Sequence, residues 1–118
     1  MTGAQTEVAL FDVPSGQVVT LQDIFWEEGD GLVLRVRFIA PQIARLGGTV
    51  DYETAAIDMQ YLCETYVLPQ IEAGTDKPEQ VILSLSDIEV PFGEADPEAT
   101  QFFEAYSLQG DSCIWEAY

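Results

Sequence analysis

Residues 20–38 read TLQDIFWEEGDGLVLRVRF. Two runs that alternate apolar and polar residues flank Gly29-Asp30-Gly31, and this pattern predicts a β-hairpin. If Trp26 lies opposite Leu34, one face of the hairpin is apolar and the other face carries the charged side chains. The hairpin therefore supplies two strands of a sheet that must bury its apolar face against something else.

The charged face of this hairpin contains two of the four basic residues of the chain. In the predicted register Arg37 lies opposite Asp23, and Arg35 lies diagonal to both Asp23 and Glu27. Pairing between the strands accounts for both arginines, so we expect ion pairs here rather than an anion-binding site.

A single helix is predicted after Gly47-Gly48, which interrupts the chain. Asp51 is a good N-cap, and the apolar residues that follow recur at intervals of three and four. Pro69 should end or kink the helix, with Gln70 to Gly74 as an irregular last turn. The apolar stripe comprises Tyr52, Ala55, Ala56, Met59, Leu62, Cys63 and Tyr66.

The C-terminal third predicts three more strands. Residues 80–86 alternate apolar and small side chains, and residues 101–108 and 112–118 are aromatic-rich runs joined by a short turn. The predicted fold class is therefore α+β, an antiparallel sheet of about five strands with one main helix packed on one face. We expect residues 1–7 to form a disordered N-terminal stub and residues 8–118 a single domain.

Charge restricts the classes of function. The chain has 21 acidic and 4 basic residues, no histidine and a net charge of −17, yet 47% of its residues are hydrophobic. Without histidine there is no Ser-His-Asp or Cys-His relay and no imidazole metal ligand. The negative charge disfavours nucleic acid as a direct partner and favours a basic protein. No apolar run is long enough to cross a bilayer, so no membrane insertion is expected.

The acidic segment from Asp87 to Pro97, broken by prolines and glycine, predicts a long loop and a candidate interaction surface. Its carboxylates do not match the spacing of an EF-hand, so a solvated acidic loop is favoured over a calcium site. No metal and no cofactor are predicted. Phe102 and Phe103 are consecutive in a strand, so one of them must face away from the core. The candidate surface comprises Asp87, Glu89, Phe92, Glu94, Asp96, Glu98 and Phe102.

Two cysteines, Cys63 and Cys113, lie far apart in apolar segments. Their spacing fits neither a redox nor a zinc motif. A disulfide and a pair of buried thiols remain equally compatible with the sequence.

Three segments resemble a family of short, acidic alphaproteobacterial proteins that have no assigned activity and are usually made with a signal peptide. The segments are YLCETY (61–66), VPFGEADPEATQFF (90–103) and CIWE (113–116). The resemblance implies a periplasmic or secreted protein and thereby favours a disulfide between Cys63 and Cys113. Because residues 1–7 lack the basic start and apolar stretch of a signal peptide, we expect any leader to have been removed.

Three hypotheses follow for function. The first is a non-enzymatic, exported domain that binds or modulates a protein partner through its acidic surface. The alternative is a cytosolic inhibitor whose carboxylates mimic the phosphates of DNA, which requires reduced cysteines. The third is a small hydrolase that uses paired carboxylates, which requires a cleft around an acid pair.

Overall fold

A computed structural model describes residues 10–29 and 31–116, and the predicted stub of residues 1–7 lies outside them. In the described part of the chain one sheet of five strands, ordered β1-β2-β3-β4-β5, carries the main helix on one face. The α+β class is therefore confirmed. The strands are β1 (Thr20–Gly29), β2 (Gly31–Ile39), β3 (Gln80–Ser86), β4 (Gln101–Gln109) and β5 (Ser112–Glu116).

The hairpin of β1 and β2 has the predicted register. Trp26 pairs with Leu34, and Asp23 pairs with Arg37 after an irregularity between Leu21 and Asp23. That irregularity places Leu21, rather than Gln22, opposite Phe38 and so keeps the apolar face continuous.

The sheet is mixed, because β2 and β3 run parallel while the other neighbouring strands are antiparallel. Parallel neighbours need a crossover connection of at least a dozen residues. The chain between Ile39 and Gln80 provides this crossover and contains the helix, which returns the chain to the end where β2 began. Accordingly, the Glu79 amide donates to the Leu32 carbonyl at 2.7 Å.

The helix consists of α1 (Tyr52–Leu62), a π-helical segment (Cys63–Val67) and α2 (Leu68–Ala73). Asp51 caps its start as predicted, accepting from the Thr54 amide at 2.9 Å. The π-helical segment ends at Val67, two residues before Pro69, whose missing amide would interrupt the regular hydrogen-bond pattern of an α-helix. The helix continues past Pro69 to Ala73, so the prediction of an irregular turn over Gln70 to Gly74 is wrong for all but Gly74, which is the C-cap.

The core lies between the helix and one face of the sheet. Alternate residues of β2 and β3 point toward buried residues of the helix, and each fully buried aliphatic side chain contributes about 1.5–3 kcal/mol. The central members are Leu34, Val36, Phe38, Val81, Leu83, Leu85, Ala55, Met59, Leu62 and Val67.

A disulfide joins the helix to β5. Cys63 and Cys113 are bonded, with their Cα atoms 6.2 Å apart, as the family resemblance implied. Beside this bond the Cys113 amide donates to Glu64 at 3.2 Å, and its carbonyl accepts from Gln60 at 2.7 Å. Side chains of the helix thus form hydrogen bonds with backbone groups of the edge strand β5. These backbone groups could otherwise pair with a strand of another chain.

The segment before β1 covers one end of the core. Phe11 makes edge-to-face contacts with Phe38 and Tyr66, with ring centroids 5.3 and 4.8 Å apart. Asp58, fully buried on α1, holds this segment: it accepts from the Ser15 amide (3.0 Å), the Ser15 hydroxyl (2.5 Å) and Gln17 Nε2 (2.7 Å). We call these three residues the Asp58 clasp.

Candidate interaction surfaces

Hydrogen bonds hold both ends of the acidic loop between β3 and β4. Asp87 and Thr100 close its base: the amide of Asp87 donates to the Thr100 carbonyl at 3.0 Å, and the Asp87 carboxylate accepts from the Thr100 amide at 2.7 Å. Arg45, from the connection after β2, donates to the carbonyls of Pro97 and Ala99 at 2.9 and 3.0 Å. These hydrogen bonds therefore fix the conformation of the loop backbone at both ends of the loop.

Phe92 fastens the middle of the loop to the face of the sheet opposite the helix. Its ring contacts Phe25 edge-to-face at 4.9 Å and lies 5.0 and 5.4 Å from the guanidinium carbons of Arg35 and Arg37. Arg37 also donates to the Val90 carbonyl at 2.6 Å. Cation–π and hydrogen-bond contacts thus hold the loop against the strands, although Phe92 remains 46% exposed.

The two strand arginines form the predicted ion pairs. Arg35 Nε lies 2.7 Å from Glu27, and Arg37 Nη1 lies 3.1 Å from Asp23. Together with Phe92 they line a cavity of about 280 Å³ under the loop. Each guanidinium charge therefore has a carboxylate partner within the sheet.

The candidate surface divides into two groups of side chains. Glu89, Glu94 and Glu98 are exposed, whereas the Asp87 carboxylate is used inside the loop and Asp96 accepts from the Glu98 amide at 2.9 Å. Glu94 lines the same cavity as the half-exposed Phe92, so the loop offers a charge next to an apolar contact.

Phe102 and Phe103 point to opposite faces of the sheet, as consecutive strand residues must. Phe102 packs against the core and contacts Tyr52 edge-to-face at 5.2 Å. Phe103 is on the loop side, 39% exposed, and lines the cavity beneath the loop. The structure therefore places Phe103, and not Phe102, beside the acidic loop.

The described residues contain no group of three or more cysteine or acidic side chains that could hold a metal ion. Asp87 and Glu98 do line a common cavity of about 370 Å³ with Arg45. Among the described residues, no helix combines the length and the hydrophobicity that a transmembrane span requires.

A buried carboxylate that the sequence reasoning missed lies on the face of the sheet that carries the helix. Glu104 of β4 is 3% exposed and accepts hydrogen bonds from the Tyr52 hydroxyl and from Trp115 Nε1, the latter at 2.6 Å. The bond to Glu104, with burial, raises the pKa of Tyr52 above its ordinary value. Burial and the charge of Glu104 raise the pKa of Tyr106 as well. The only sequence signal was an acidic residue at an inward-facing strand position.

The chain belongs to a family of unknown function, DUF6497, whose model matches residues 1–118. No curated protein and no solved structure matches the chain significantly.

Proposed function

We propose that this protein is a non-enzymatic, exported domain that binds a basic protein partner through the acidic loop. The observation that carries the proposal is that all three arginines already have partners within the protein. Arg35, Arg37 and Arg45 are engaged with carboxylates, backbone carbonyls and Phe92, and Lys77 is the remaining basic side chain of the chain. Within the described residues Glu89, Glu94 and Glu98 form no ion pair, so their charges remain available to a partner.

The loop is suited to binding because its backbone is fixed before a partner arrives. The contacts of Arg37 and Arg45 with loop carbonyls reduce the conformational entropy that binding would otherwise remove. The exposed Glu89, Glu94 and Glu98 would steer a cationic protein by long-range attraction, and Phe92 would supply an apolar contact.

Export is supported by the disulfide between Cys63 and Cys113, because such bonds persist in oxidising compartments. The same bond weighs against the cytosolic DNA mimic, which requires reduced cysteines. We therefore propose a periplasmic or secreted location.

The test is capture of partners from a periplasmic extract on immobilised protein, followed by elution with increasing salt. We expect a basic protein to be retained at low ionic strength and released at high ionic strength. The triple variant Glu89→Gln, Glu94→Gln, Glu98→Gln should lose this retention.

A matched control keeps the change in net charge but moves it elsewhere: Glu28→Gln, Glu72→Gln, Asp76→Asn, all exposed and outside the loop. Equal loss of retention in both triple variants would show that net charge, and not the loop, governs binding. Absence of any salt-sensitive partner would contradict the proposal itself.

A further inference from the structure

A groove runs between α1 and the β4–β5 edge of the sheet, with a cavity volume of about 370 Å³. This volume lies within the usual range of small-molecule sites, about 300–1,000 Å³. We call it the aromatic groove. Its principal lining residues are Tyr52, Ile57, Gln60, Glu104, Tyr106 and Trp115.

The walls of the aromatic groove are apolar side chains that reach solvent. Trp115 is 57% exposed, Ile57 is 61% exposed and Tyr52 is 46% exposed. These three residues come from β5 and from α1, which the neighbouring disulfide holds together. The groove therefore presents two exposed aromatic side chains and an aliphatic wall on a fixed framework.

The floor of the groove is negatively charged. Glu104 is buried, and it fixes the two exposed aromatic side chains by accepting from the Tyr52 hydroxyl and Trp115 Nε1. No arginine or lysine lines the groove in the described part of the chain. Donation to a carboxylate draws electron density into each ring, which strengthens the attraction of its face for a cation.

The arrangement also selects the kind of cation. Glu104 is only 3% exposed and each of its oxygens already accepts a hydrogen bond, so a ligand in the groove meets its charge but can scarcely reach an oxygen to donate to. A primary ammonium or a guanidinium would lose hydrogen bonds to water on entering the groove. A quaternary ammonium has no N–H group to satisfy, and its methyl groups can contact aromatic rings and Ile57.

We propose that the aromatic groove binds a small organic cation that carries a quaternary ammonium group. This proposal goes beyond the acidic loop, which lies against the opposite face of the sheet, and does not depend on it.

The experiment uses the isotopically labelled whole protein and follows its two indole N–H signals during titration with choline at constant ionic strength. We expect a saturable shift of the Trp115 signal. Trp26 lies on β1, at the far edge of the sheet, and serves as an internal control that should not move.

Two ligand comparisons test the charge and its alkylation. The neutral isostere 3,3-dimethylbutan-1-ol should bind at least about tenfold more weakly than choline. Methylammonium should likewise bind more weakly than tetramethylammonium. Equal binding within either pair, or no saturable shift with choline, would overturn the proposal.

Variants locate the site. Trp115→Ala should weaken choline binding at least about tenfold, and Glu104→Gln should weaken it while nearly preserving side-chain shape. Trp26→Ala, the matched control, should bind normally. If Glu104→Gln fails to fold by circular dichroism, Ile57→Ser, at an exposed position, takes its place. Full binding by Trp115→Ala would refute this site.

Discussion

The Asp58 clasp gives the sharpest prediction about stability. Replacing Asp58 with alanine removes one fully buried carboxylate and leaves three donors from Ser15 and Gln17 without their acceptor. Because Asp58 is buried, the loss of unfolding free energy depends on which of the three donors can form a hydrogen bond with water instead.

The donors differ in this respect. Ser15 is exposed, so its amide and hydroxyl can bond to water, and we assign about 1 kcal/mol to both losses together. Gln17 is only 3% exposed, and its Oε1 is buried without a partner within the described residues. Losing its bond to a charged acceptor and leaving Nε2 unpaired should cost about 2–3 kcal/mol. Asp58→Ala should therefore lower the free energy of unfolding by about 3–4 kcal/mol.

The assay is urea denaturation at neutral pH with an unchanged m-value, which indicates that the same two states are compared. Asp58→Asn, which retains one acceptor oxygen, should cost less than Asp58→Ala. Glu72→Gln, an exposed change on α2, should stay within about 0.5 kcal/mol of the parent. If Asp58→Ala also stays within 1 kcal/mol of the parent, the clasp does not hold the N-terminal segment, and our reasoning is refuted.

Two further predictions concern the disulfide and alkaline pH. The bond between Cys63 and Cys113 joins residues 50 positions apart in sequence. Replacing both cysteines with alanine should lower the free energy of unfolding by about 4 kcal/mol and Tm by about 15 °C. A Tm within about 3 °C of the parent would contradict this. Tyr52 has a pKa above 10 in the folded state, so between pH 10 and that higher value the native protein binds more protons than the unfolded chain. This contribution to stability is fully present below about pH 10 and is lost as pH rises through the folded pKa. An absorbance titration of tyrosinate should show Tyr52 ionising late and Glu104→Gln shifting it earlier, whereas an unchanged curve in the variant would rule out Glu104 as the cause.

Local chemistry made much of the fold predictable. The alternation in residues 20–38 set the register that pairs Asp23 with Arg37, because side chains in a strand alternate between faces. Asp51 was recognisable as a cap, since its carboxylate satisfies an amide of the same helix. Both inferences depend only on contacts between residues that are close in sequence or directly opposite each other in a hairpin.

The sequence predicted the acidic loop, but it did not predict which side chains the loop contacts. Its prolines and carboxylates marked it in the sequence, whereas Phe92 finds the strand arginines only after the sheet has formed. Which of Phe102 and Phe103 faces the loop depends on how β4 sits against β3, and alternation alone leaves both orientations open.

By itself the sequence determined the hairpin, the cap, the helical stripe and the excess of negative charge, because each follows from spacing within one segment. Only the tertiary structure decided that β3 lies parallel to β2, that Asp58 binds Ser15 and Gln17, and that Glu104 lies between Tyr52 and Trp115. The physical reason is that a buried polar group is stable only with a partner. Here those partners come from segments 11 to 52 residues away, which only folding brings together.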